Sequence, residues 1–97
     1  MPRSVAFHPA AREELEAAFR WYRARSPRVA EQFLFEVDQA IERIRTSPEV
    51  AAKYQHGTRR FVCRRFPFVI VFRARDTKVL VVAVAHGRRR PDYWRRR

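Results

Sequence analysis

Two apolar runs late in the chain limit what it can fold into. Residues 68–73 (FVIVFR) and 78–85 (KVLVVAVA) are separated by residues 74–77, a hairpin turn containing Asp76. A strand sends successive side chains to opposite faces. Phe68, Ile70 and Phe72 therefore point one way and Val69 and Val71 the other, while Val79, Val81 and Ala83 oppose Leu80, Val82 and Val84. Both faces of this hairpin are apolar. It belongs inside a sheet, and something must cover each side.

The rest of the chain supplies cover for one side. From Pro9 to about Arg25, Ala11, Leu15, Ala18, Phe19 and Tyr22 recur in steps of three and four, one stripe of a helix. Glu16 and Arg20 form a favourable pair on its outer side, and Glu13 and Glu14 lie close to its positive end. From Pro27 to Arg45 a second stripe contains Ala30, Phe33, Leu34, Val37, Ala40, Ile41 and Ile44. Only Arg25-Ser26-Pro27 separates the two, with Ser26 suited to cap and Pro27 to the first turn. So short a linker implies an antiparallel helical hairpin. Residues 3–8 read as an edge or hairpin strand around Val5 and Phe7, residues 49–58 as a loop, and residues 59–64 as a strand around Phe61 and Cys63. The expectation is a single α/β (α+β) domain over residues 1–97, ordered β-α-α-β-β-β. Two helices cover one face of the sheet, leaving the other as an apolar groove for a partner or for the C-terminal segment.

Charge narrows the partner. There are 22 Lys and Arg against 10 Asp and Glu, a net charge of +12, and all the basic residues but Lys53 and Lys78 are arginine. Guanidinium forks pair with carboxylates and phosphates. Arg59, Arg60, Arg64 and Arg65 cluster in one stretch and Arg88, Arg89, Arg90, Arg95, Arg96 and Arg97 in another. Of these, Arg59, Arg60, Arg64, Arg65, Arg88, Arg89, Arg90 and Arg95 are the candidates for contacting a phosphate or an acidic partner. A single cysteine, Cys63, excludes an internal disulfide framework. No apolar run reaches membrane-spanning length and the N-terminus turns acidic early, so the chain reads as cytoplasmic. The dispersed His8, His56 and His86 offer no metal cluster, and no cofactor is expected. Tyr93 and Trp94 interrupt the terminal arginines; Trp94 reads as packing against the sheet, and Tyr93 equally as packing or proton transfer. Arg64, Arg65, His86 and Tyr93 form the one conceivable acid–base set for a metal-independent ribonuclease.

The string VVAVAHGRRRPDYWRRR, taken with FRWY in the first helix, RRFVCRRFPFVIVF in the sheet and TSPE after the second helix, resembles the RelE/ParE superfamily of bacterial toxins. These are the toxic halves of type II toxin–antitoxin modules, also called plasmid stabilisation proteins. The resemblance runs from Val5 to Trp94 and looks closer to the ParE-like branch. It implies a helical hairpin on a twisted, mostly antiparallel sheet. It also implies a cognate acidic antitoxin, ParD-like or RelB-like, in a hetero-oligomer that reaches operator DNA only through the antitoxin. ParE-like members inhibit DNA gyrase and arrest growth; RelE-like members cut messenger RNA on the ribosome. The lysines of the RelE-like set are missing here, so gyrase inhibition without catalysis is the expectation. Ribosome-dependent cleavage and a non-toxic basic interaction domain are the alternatives. Phe68, Ile70, Phe72, Val79, Val81 and Trp94 are the expected antitoxin groove.

Overall fold

Strand β1 (Ser4–Phe7) leads into helices α1 (Pro9–Arg25) and α2 (Pro27–Thr46), followed by β2 (Ala52–Lys53), β3 (Arg59–Val62), β4 (Phe68–Arg75) and β5 (Lys78–His86). The computed structural model describes residues 3–97. Single turns of 3-10 helix at Pro48–Val50 and Gln55–Gly57 flank β2.

Local chemistry sets the helix ends. The Ala10 N–H donates to Nδ1 of His8 at 3.0 Å, and Pro9 occupies the first turn. Ser26 serves both helices. Its N–H donates to the Tyr22 carbonyl at 2.8 Å, closing α1, and its hydroxyl accepts from the Val29 N–H at 3.3 Å, opening α2. One residue thus satisfies groups at two helix ends that otherwise lack partners.

The five strands lie in the order β1-β5-β4-β3-β2. β1 runs parallel to β5 and the other neighbours are antiparallel. β4 and β5 are joined by a two-residue turn, since Arg75 pairs with Lys78 and Asp76 takes the left-handed conformation at φ 47°. The four-residue turn expected over residues 74–77 is therefore shorter, and both strands are longer. β2 lies inside the segment read as loop; its two residues pair Ala52 with Arg60 and Lys53 with Arg59.

The hairpin faces differ from strict alternation on one strand. Phe68, Ile70 and Phe72 face the helices with Val79, Val81 and Val84, packing on Phe33, Val37 and Ile44. Val69 and Val71 face the other way with Leu80, Val82, Ala83 and Ala85. An irregularity between Val71 and Phe72 pairs Val71 with Ala83 but Phe72 with Val81, leaving Val82 extra on β5. One extra residue inverts the facing of everything after it. Ala83 and Val84 accordingly exchange the sides expected of them.

The second face is covered by the chain itself. After β5, residues 87–97 fold back in turns, and the Trp94 side chain, 2% exposed, lies among Val71, Val82, Ala83 and Ala85. The expected groove must be corrected. Phe68, Ile70, Phe72, Val79 and Val81 are buried under the helices, and Trp94 is buried on the opposite face, so the six do not line one open surface. Trp94 is instead the packing residue that its position implied. Among the described residues, no helix is long and apolar enough to cross a membrane.

Candidate functional site

The C-terminal segment is tied down at Glu14. Its carboxylate accepts from the Val84 N–H at 3.0 Å, from the Tyr93 hydroxyl at 2.7 Å and from Nη1 and Nη2 of Arg97 at 2.9 and 3.2 Å. Arg97 Nη1 also donates to the Val82 carbonyl at 3.1 Å. These contacts lie beyond Phe7–Val81, the last residue pair of β1 with β5. Side chains here occupy backbone groups that a longer β1 would have paired, as buried polar groups require. Glu14 and Arg97 are both largely shielded from solvent, which strengthens their charge-assisted bonds.

This arrangement engages the Tyr93 hydroxyl. Burial, then its hydrogen bond to Glu14 and that carboxylate's charge, pushes the phenol well above its ordinary pKa. Arg89 stacks on the same ring, 4.0 Å from its centroid. A phenol so held is a structural donor and a poor proton shuttle near neutral pH.

The other members of the acid–base set lie apart. His86 packs edge-on against Phe68, with ring centroids 5.2 Å apart, and its Nδ1 accepts from the Arg88 N–H at 3.1 Å. Arg64 and Arg65 are on the β3–β4 loop, where their backbone N–H groups donate to the Glu36 carboxylate at 2.6, 3.0 and 3.2 Å. His86 borders a cleft of about 550 Å³ beside α1, whereas Arg64 and Arg65 border one of about 690 Å³ beside α2. The two clefts share no residue.

The basic candidates divide in the same way. Arg59 donates to the Ala51 carbonyl at 2.7 Å and helps hold β2, while Arg60 lies over the Tyr54 ring. Arg88, Arg89, Arg90 and Arg95 are exposed around the C-terminal turns, and of these Arg95 approaches Asp92 at 3.9 Å. His56 approaches the same carboxylate at 3.9 Å, linking the turn before β3 to the C-terminal turns. Glu14 and Glu36 were missed as organising residues. Each lies on its helix's apolar stripe, three residues after Ala11 and Phe33 respectively, and a carboxylate in that position calls for a specific partner.

A family model described as the ParE toxin of the type II toxin–antitoxin system parDE matches residues 5–91. The chain belongs to the ParE toxin family. Solved structures agree on the fold. A chain of the chromosomal ParDE toxin–antitoxin system from P. aeruginosa superposes with a TM-score of 0.74 at 17% identity, covering 87% of this chain and 95% of that one. A chain of the RelBE2 toxin–antitoxin complex from Mycobacterium tuberculosis gives 0.61 at 24% identity, covering 89% and 99%. No curated protein matches the chain. The α+β fold, with a helical hairpin on one side of a mostly antiparallel sheet, is thus the one expected, and the ParE-like branch is the one the resemblance indicated. In this ParE-family chain the described residues expose basic C-terminal turns and two clefts beside the helices.

Proposed function

We propose that this chain arrests growth by binding DNA gyrase, without catalysis of its own, and is silenced by direct contact with an acidic antitoxin encoded beside it. The match to the ParE toxin family over residues 5–91 carries this reading. The locked Tyr93 and the separation of Arg64 and Arg65 from His86 support binding over bond cleavage. Arg88, Arg89, Arg90 and Arg95 form the exposed basic surface offered to the target, and a net charge of +12 favours an acidic antitoxin.

Induced expression should stop growth, and the purified chain should inhibit gyrase supercoiling or stabilise gyrase–DNA cleavage complexes. Reversing Arg88 and Arg90 to Glu should weaken inhibition by about tenfold while leaving the fold intact, because both side chains are exposed. Normal supercoiling at a large molar excess of folded protein overturns the gyrase assignment. Growth arrest accompanied by new 5′ ends in translated messages would transfer the toxicity to RNA cleavage.

A further inference from the structure

The net charge of +12 belongs to one half of the molecule. Residues 1–50, which include β1, the helical hairpin and the turn after it, contain eight basic and eight acidic residues. Residues 51–97, which include β2 to β5 and the C-terminal turns, contain fourteen basic residues and two acidic ones, Asp76 and Asp92. The helical half is neutral and the sheet half carries the whole excess. A surface kept soluble by mixed charge does not separate its signs in this way; a one-sign field gathers a polyanion.

Strand alternation places part of that excess on the sheet face away from the helices. Val69 and Val71 point to that face, and Arg73 and Arg75 continue the series, roughly 6.8 Å apart along β4. Leu80 points there too, and with it Lys78, which pairs with Arg75 across the ladder. On β3, Phe61 packs towards the helices, which turns Arg60 the other way, over the Tyr54 ring. The C-terminal segment covers this face over Val71, Val82, Ala83 and Ala85, while Arg75 and Lys78 at the hairpin end are exposed. That segment adds the exposed Arg95. Among the described residues, Arg60, Arg73, Arg75 and Lys78 form no ion pair.

The chemistry of the face selects among polyanions. A protein partner is held by buried aromatic and aliphatic anchors. Here the anchor is already spent inward, since Trp94 is buried, and the exposed Trp21 and Phe35 stand on the helices. A single strand needs open rings on which bases stack. Tyr54 lies between Arg60 and Trp94, and His56 packs edge-on against Trp94. A row of cations without free rings suits the phosphates of a duplex, which position a protein without reporting sequence.

We propose that the sheet face away from the helices binds duplex DNA directly, through phosphate contacts from Arg60, Arg73, Arg75, Lys78 and Arg95. The contact needs no operator sequence, no antitoxin and no gyrase. It therefore goes beyond the gyrase reading, and either stands without the other. A chain held this way can slide along DNA until it meets a DNA-bound target.

The test is fluorescence anisotropy of the purified chain with two short duplexes of unrelated sequence. Both should bind equally, with dissociation constants of about 1–100 μM at physiological salt. Five phosphate contacts predict a loss of about 500-fold in affinity between 50 and 200 mM salt. Arg75→Gln combined with Lys78→Gln should weaken binding by about tenfold or more and lower the salt slope by about 2. Arg20→Gln combined with Arg23→Gln removes the same charge from the exposed side of α1 and should change neither quantity. Thermal melts check the folding of both variants, and the salt slope of the unmodified chain stands apart from them. A folded chain that leaves duplex unbound at 50 mM salt overturns the proposal and assigns the face to an acidic protein surface. Equal losses from the two double variants overturn it as well, since total charge and not this face would then govern binding. Single-stranded DNA bound tenfold more tightly than duplex would also overturn it in favour of base stacking. Duplex binding without any effect on supercoiling refutes the gyrase assignment alone.

Discussion

Trp94→Ala probes the closure of the second sheet face. The indole lies on Val71, Val82, Ala83 and Ala85, with Tyr54 and His56 beside it at centroid distances of 5.8 and 5.9 Å. A buried aromatic removes roughly 150–250 Å² from water, which at about 25 cal/mol/Å² gives about 4–6 kcal/mol. Residual compactness of the unfolded chain lowers this to about 3–5 kcal/mol, the range found for aromatic truncations in cores. The loss has a ceiling, because residues 87–97 can detach while the rest of the sheet stays folded. Deleting those residues defines it, and Trp94→Ala should fall at or below that limit. Chemical denaturation should register the loss, the melting temperature should drop by at least about 12 °C, and Trp94→Phe should recover much of it. Binding of a hydrophobic dye should rise as Val71, Val82 and Ala85 become wet. A variant within about 0.5 kcal/mol of the parent, with no added dye binding, would refute the claim that this indole seals the face.

Glu14→Gln should cost about 1–3 kcal/mol by urea denaturation, since an amide accepts poorly from the Arg97 fork. Combined with Arg97→Ala in a double-mutant cycle, it should show coupling of about 1–2 kcal/mol, and purely additive losses would mean that the pair does not hold the C-terminus. Stability should also fall in alkali. The Cys63 thiol is pushed up to about 11 by burial and by the Glu36 charge, so the unfolded chain releases this proton first as pH rises. The stabilisation is complete below the ordinary thiol pKa and is lost towards pH 11; about 2 kcal/mol should disappear, with Tyr93 extending the decline above pH 10. Denaturation of Cys63→Ala across that interval should be distinctly flatter, and an identical pH slope would exclude the thiol as the cause.

The helices were legible almost to the residue. Proline follows the capping residue of each, and both stripes have a clean helical period. The hairpin strands were legible for a similar reason, since dense β-branched and aromatic runs have few alternatives. β2 was not, because two residues carry no period and Ala52–Lys53 is placed only by its ladder with Arg59 and Arg60. The bulge on β5 was invisible as well. Its residues are all Val or Ala, and an apolar run looks the same with or without a change of facing. The groove failed with it. Counting helices gives cover for one face and leaves the other to a partner or to the C-terminal segment; Trp94 reads as packing, but the contacts that dock residues 87–97 run to Glu14, more than seventy positions earlier, and no local pattern announces them. The positive charge was read correctly as a total, yet its division between the two clefts depends on tertiary placement.

The parallel pairing of β1 with β5 has a consequence for synthesis. The first strand to leave the ribosome must wait for the last of the five before its ladder can form, and Trp94 arrives later still. Partners so distant in sequence make the closing step slow and leave the helical hairpin without its sheet during translation. Premature termination before β5 is complete should therefore release an incomplete, degradable chain, because β1 then lacks its partner strand. The order in which the strands are built thus withholds the finished sheet, and every surface it carries, until the last strand has been made.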